Sequence, residues 1–350
     1  MSSMLHLALL LPALFVLTPA TTLAQSAADA CAAEAASQFE PGYRDIGRDL
    51  ATMDVDAALA ACEAALAAEP DSILVKSWLA RVLYALGDGA RAMPLLEDAA
   101  AAGNLLALAN FGDMLLNGEG VPQDPERGAE LLRAAAEGGF APAQNSLGLS
   151  YDIGRGVTQD YAEAVRWYRA AAEQGMTRAE TNLGLMYLEG LGLPQDFVAA
   201  AAWLRRAADK GDDKALYNLG AIYELGRLVP VDHAAALALY TQAADAGNKF
   251  AQNSLGFYFE RGLGTEQDDA KAAFYYGKAA DQALPVAQYN LAILYELGRG
   301  VTKDEVRAFE LYSLAAEAGD QDAPVNLALM YLDGRGTAQD YAEALLWTTV

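Results

Sequence analysis

The chain has 350 residues, 53% of them hydrophobic, with 47 acidic against 24 basic side chains and a formal net charge of −23. That field repels nucleic-acid backbones and anionic lipid surfaces, and no internal stretch reaches the ~20 apolar residues of a membrane span. Such length suits two ordinary domains or one extended array. Abundant alanine and few β-branched residues favour helix, while the acidic surface favours a basic partner or simply keeps a long surface soluble.

Residues 1–24 read as a secretory leader. Leu5 to Leu17 is an apolar run, and Thr22-Leu23-Ala24 places small residues before Gln25. The start is weakly charged, with His6 and the α-amino group in place of Lys or Arg. Removal and export are expected, with retention as an anchor as the alternative. Cys31 and Cys62 are the two cysteines of the chain. In an oxidising compartment they are expected to pair; in a reducing one they would pack as thiols in helix cores.

Between 25 and 53 the pattern is irregular, with a turn at Glu40-Pro41-Gly42. From about 54 to 103 a period of 34 emerges. Ala58, Cys62 and Ala65 are followed 34 residues later by Ala92, Leu96 and Ala99, although nothing matches Pro70. Thirty-four is the tetratricopeptide period, and Trp78 to Asp88 fits the first helix of such a unit.

From 104 onward the period is 36. Gly112, Gly148, Gly184, Gly220, Gly256, Ala292 and Ala328 form one column; Asp124, Asp160, Asp196, Asp232, Asp268, Asp304 and Asp340 form another. Each unit predicts a helix A and a helix B. The small residue of the first column lets another helix approach closely. Tyr151, Tyr187, Tyr223, Phe259, Tyr295 and Tyr331 are expected to pack between repeats. A glycine pair such as Gly154 and Gly156 ends helix A, and the aspartate caps helix B. Asp160 to Glu163 and Asp340 to Glu343 have capping-box spacing, and Pro125 suits a first helical position. Departures occur at Leu228, where the second glycine belongs, at Ala283, where a terminal glycine belongs, and in the seventh unit, which stops inside helix B at Val350.

The loops such as Gly156-Val157-Thr158-Gln159-Asp160, followed by Tyr161 through Gly175, resemble the Sel1-like repeat family over residues of about 104–350. Ala61-Cys62-Glu63-Ala64-Ala65-Leu66 with Pro70-Asp71 is more loosely similar to the start of exported bacterial members. The resemblance implies an all-α, right-handed α-solenoid of helix-turn-helix repeats: 1–24 a leader, 25–103 helical with tetratricopeptide-like units, 104–350 seven repeats with the last incomplete. It further implies roles in envelope assembly, regulation or host interaction.

Chemistry leaves few marks. His233 is the one histidine beyond the leader and follows a capping aspartate, where solvation is expected. Neither G-x-S-x-G, H-E-x-x-H nor a Walker loop occurs, so no catalytic residue, cofactor or metal site is assigned. The alternative is a cell-wall-directed or β-lactam-binding enzyme or ligand binder. Cysteine-rich members of the resembled family carry that association, but they have many disulfides where this chain has one pair at most.

The columns that vary within the chain are more telling than those that repeat. On helix A one face reads Leu106, Ala109, Asp113 and Leu116 in the first unit, and Lys214, Tyr217, Ala221 and Glu224 in the fourth. In the fifth it reads Phe250, Asn253, Phe257 and Glu260, and in the sixth Val286, Tyr289, Ile293 and Glu296. First helices of tetratricopeptide-type arrays line a concave surface. Tyr217, Phe250, Phe257 and Tyr289 are therefore candidate anchors for a protein or peptide partner, with Glu224, Glu260 and Glu296 as an acidic rim. Some of these aromatics have packing between repeats as their alternative role. The Asn/Ser column from Asn110 to Asn326 is expected to bond helices together. The reading is a non-enzymatic scaffold in the periplasm or outside the cell.

Overall fold

The structure is a computed structural model and describes residues 19–40, 42–43 and 52–348, with side chains from residue 26 onward. The predicted leader up to residue 18 lies outside the described residues. So do the final two residues of the chain. Eighteen α-helices and no β-strand occur among the described residues. Packing divides the chain into two compact units, Met1–Asp160 and Tyr161–Val350.

The first unit holds α1 (Pro19–Ala35), α2 (Val55–Ala68), α3 (Ile73–Ala85), α4 (Gly89–Ala101), α5 (Leu105–Asn117), α6 (Pro125–Glu137) and α7 (Ala141–Ile153). Cys31 and Cys62 are both buried and form a disulfide between α1 and α2. Beside it Glu40 accepts hydrogen bonds from the Trp78 indole, at 3.2 Å, and from the Ser37 amide. Arg81 donates to the Ala35 carbonyl at 2.7 Å. Burial, opposed by these bonds, pushes the Glu40 carboxyl up. The 34-residue columns behave as one core: Ala58, Cys62, Ala65, Ala92, Leu96 and Ala99 are all fully buried.

The second unit holds α8 (Tyr161–Glu173), α9 (Thr177–Glu189), α10 (Phe197–Ala208), α11 (Asp213–Glu224), α12 (His233–Asp245) and α13 (Lys249–Arg261). It continues through α14 (Asp269–Asp281), α15 (Pro285–Leu297), α16 (Glu305–Glu317), α17 (Ala323–Asp333) and α18 (Tyr341–Trp347). Its core is alanine pairs and buried rings, among them Tyr168, Tyr240, Tyr258, Tyr276 and Tyr312. Tyr187, Tyr223, Phe259, Tyr295 and Tyr331 pack against this core from partly buried positions.

The repeated columns resolve into contacts. The side chains of Asp124, Asp196, Asp232, Asp268, Asp304 and Asp340 each accept from backbone amides of the helix they precede, at 2.9–3.1 Å. Every aspartate of the column also donates its own amide to a helix A carbonyl nine residues back, Asp196 to Tyr187 for example. Each residue thus closes the loop and starts the helix. The small-residue column makes room for the residue twenty positions on. A Cβ at Gly256 would lie 2.4 Å from the Tyr276 ring. The second loop glycine has two reasons to be glycine: Gly192 has φ +70°, and a Cβ there would lie 2.3 Å from the Tyr161 backbone, where the preceding helix B begins.

One part of the loop motif was missed from sequence. The glutamine before the aspartate donates its amide to a carbonyl near the end of helix A, as Gln123 to Leu116, Gln159 to Asp152, Gln195 to Leu188 and Gln339 to Leu332, at 2.7–2.8 Å. These satisfy carbonyls that a helix C-terminus leaves open. His233 departs from expectation as well. It is half-buried, edge-on to Tyr258, with Nδ1 3.4 Å from the phenol oxygen, because the tightly packed Gly264 turn closes over the start of α12.

Candidate interaction face

Within the second unit, helices α11, α13, α15 and α17 are first helices of successive repeats, and direct bonds join them side by side. Tyr217 hydrogen-bonds with Ser254, and its ring lies 6.0 Å from that of Phe250. Asn290 donates to Asn253 at 3.2 Å, and Asn326 meets the phenols of Tyr289 and Tyr312. The Asn/Ser column therefore includes bridges between neighbouring A helices.

On this face several varied positions are apolar and open. Phe250 is 49% exposed, Phe257 39%, Val325 59% and Leu329 44%, and Val286 is exposed with them. Arg261 lies over the Phe257 ring and Lys249 over Phe250. The other two aromatic candidates are half-buried: Tyr217 against Tyr240 and Tyr289 against Tyr312, with centroids 5.6 and 5.7 Å apart. Burial pushes both phenols up. Of the four, Phe250 and Phe257 present the most open ring surface.

The three glutamates sit lower, engaged by their own scaffold. Glu224 accepts from Tyr240 at 2.5 Å and Glu260 from Tyr276 at 2.9 Å. Glu296 accepts from Tyr312 at 2.8 Å. Arg299 bridges Glu260 and Asp269 at 2.9 Å, and Arg335 pairs with Glu296. Arg299 also holds the Asp269 carboxyl below its usual range. Glu224 has Leu263 where the arginine would stand, and hydrogen-bonds with the Tyr258 phenol in addition. Burial, followed by the charge of Glu224, pushes that phenol up.

At one end of the face lies a cleft of about 430 Å³ between the starts of α11 and α13. Tyr217 and Phe250 form its apolar wall, with Lys214, Lys249, Asp213 and Asn248 among its polar lining. Asn248 caps α13 through its oxygen and donates to Asp213 at 2.8 Å through its nitrogen. Gln282 closes the far side, its amide bonded to the Gly247 carbonyl and to Gln252. Sequence reasoning found the aromatics and Lys214 but not Lys249, Asn248 or Gln282, which reach the cleft from the neighbouring repeats. Among the described residues no group of three or more His, Cys, Asp or Glu could hold a metal ion, and no helix is long and apolar enough to cross a membrane.

The Sel1 repeat profile matches seven times, at 105–140, 141–176, 177–212, 213–248, 249–284, 285–320 and 322–349, which is more than half of the chain. The chain belongs to the Sel1 repeat family. A tetratricopeptide repeat profile matches 49–107. Among solved structures, a protective antigen of uropathogenic Escherichia coli strains displaying an SLR fold is 31% identical. It covers 95% of this chain and 79% of its own, with a TM-score of 0.62. A Sel1 repeat protein from Oxalobacter formigenes is 30% identical over 69% of this chain and 97% of its own, with a TM-score of 0.64. No curated protein matches the chain. As a Sel1 repeat protein it has the all-α solenoid fold of a scaffold family.

Proposed function

We propose that this Sel1 repeat protein is a non-catalytic, exported scaffold that binds a protein or peptide along the A-helix face of α11, α13, α15 and α17. The observation that carries the reading is the exposed apolar stripe of Phe250, Phe257, Val286, Val325 and Leu329. Packing columns repeat from unit to unit, whereas this stripe changes, as expected of a surface that reads a particular partner. Tyr217 packs against the open Phe250 ring. An exported location fits the leader-like start and the buried disulfide, and a protective antigen among its relatives suits an envelope or host-facing setting.

The test is capture from envelope extract, identification of the retained protein, and measurement of its affinity with purified components. A Phe257→Ser, Leu329→Ser variant, shown by circular dichroism to stay folded, is expected to bind at least tenfold more weakly. Equal affinity of the parent and the variant for every captured partner would move the binding surface elsewhere.

A further inference from the structure

We infer that the cleft between the starts of α11 and α13 takes a peptide segment in which an aromatic or branched apolar side chain stands beside a carboxylate. This rests on the scaffold reading above and names the chemistry of the partner at one point of the face. Three observations lead to it.

First, the cleft is of a size for one or two side chains. Sites that bury small ligands begin at roughly 300 Å³ and combine an apolar wall with a few polar groups, and this one measures about 430 Å³. Its wall is the Tyr217 and Phe250 pair, with Phe250 half exposed. An aromatic or branched side chain laid against that pair would remove apolar surface from water at each partner.

Second, the cleft concentrates cations on a chain whose overall charge is −23. Lys214 and Lys249 both line it, and neither has a carboxylate partner among the described residues. Lys249 instead lies 5.7 Å from the Phe250 ring centroid. Of the other lysines, Lys76, Lys210, Lys271 and Lys303 pair with Asp98, Glu180, Asp268 and Glu305, and Lys278 lies over the Phe274 ring. Asp213 is the cleft's one anion, and it is already engaged by Asn248. A carboxylate entering beside the aromatic wall would therefore meet two available ammonium groups.

Third, the combination does not recur. A cation recurs as Arg178 in the Lys214 column and a ring as Tyr289 in the Tyr217 column, but Arg178 stands with Thr181 in place of the tyrosine, and Tyr289 stands with Val286, Gln321 and Asp322 in place of Lys214, Lys249 and Phe250. The combination of ring, ring and two lysines arises at this junction alone, so fold maintenance does not account for it. The long-range field of the chain favours basic ligands, but it is screened beyond about 8 Å at physiological ionic strength. Contact chemistry in the cleft then decides for an acid.

The experiment is selection of a random dodecapeptide phage library on the immobilised full chain, run in parallel on a Lys214→Glu, Lys249→Glu variant and on the Phe257→Ser, Leu329→Ser variant. The expected result is enrichment of peptides with Asp or Glu next to Phe, Tyr, Leu or Ile, and loss of tenfold or more of their affinity on the lysine variant. Replacing the acid by its amide in a synthetic winner should weaken binding by a similar factor. Winners that are neutral or basic, or that survive the lysine reversal while failing on the Phe257→Ser, Leu329→Ser variant, would overturn the cleft assignment and leave the scaffold reading standing. No enrichment on the parent chain would also overturn it, and the scaffold reading would still be judged by its own assay with folded partners.

Discussion

Asp113 gives the sharpest test of how an exception inside a repeat array is tolerated. It lies in the column occupied elsewhere by Leu149, Leu185, Ala221, Phe257, Ile293 and Leu329. Placed on α5 with the Ser146 hydroxyl donating to it at 3.3 Å, it is only partly accessible. Burial, with a smaller push from Glu119, raises its carboxyl from 3.8 to about 7. In the folded chain the protonated form is thus favoured. Between about pH 4 and pH 7 the native state holds more protons than the unfolded state, so stability falls as pH rises through that window and levels off above it. Each tenfold in proton affinity is worth about 1.36 kcal/mol, which sets an upper bound of ~4 kcal/mol. Partial access to water reduces the working figure to about 2 kcal/mol.

Asp113→Asn keeps an acceptor for Ser146 and removes the charge. The variant is expected to match the parent in urea-denaturation midpoint near pH 4 and to exceed it increasingly toward pH 8, by about 2 kcal/mol. Comparing the two proteins at each pH cancels the titration of other groups. A difference that stays constant with pH, or a variant less stable than the parent at pH 8, would refute the reasoning. Glu119→Gln should narrow the parent's pH dependence slightly, since it removes the smaller of the two upward pushes.

Other predictions concern single columns. Asp196→Ala, which removes a cap bonded to two amides at 2.9 and 3.0 Å, should cost about 1 kcal/mol in thermal unfolding. Gly192→Ala should cost more than 2 kcal/mol, because positive φ and a 2.3 Å approach to Tyr161 act together. By contrast Gly277→Ala, inside α14 with open space around the added carbon, should stabilise by about 0.5–1 kcal/mol. Cys31→Ser with Cys62→Ser should lower stability by roughly 3 kcal/mol in oxidised protein, with reductant erasing the difference.

The fold was legible because each repeated column answers to one local requirement. A capping aspartate or a glycine at a tight turn depends on its own few neighbours, and a period of 36 repeats that requirement down the chain. Phe250 and Phe257 were legible for the converse reason, as large side chains in columns that hold no constant type. What was not legible depends on residues 16 to 39 positions apart meeting through packing. Glu224, Glu260 and Glu296 look like a free rim in sequence, yet each meets a tyrosine 16 residues on, and two meet an arginine 39 residues on. Asn248 and Gln282 drew no reading from sequence because their partners belong to the preceding repeat.

Glu180 shows that such a bond can change chemistry while keeping its place. In the equivalent column Gln144, Gln252 and Gln288 donate to the carbonyls of Ala136, Ala244 and Ala280, each near the end of the preceding helix B. A glutamate cannot donate there. Instead Arg206 reaches the Ala172 carbonyl at 3.4 Å and pairs with Glu180 at 2.8 Å, while Lys210 binds Glu180 at 2.6 Å and the Gly175 carbonyl at 2.9 Å. The carboxylate is fully buried but its cations are half exposed, so the pair is weaker than a wholly buried one. Glu180→Ala should therefore cost about 1–2 kcal/mol, and Glu180→Gln, which restores the amide used by the sister repeats, less than about 1 kcal/mol. If the glutamine variant unfolds as readily as the alanine variant, the two arrangements are not interchangeable, and the arginine and lysine have become part of the joint between repeats.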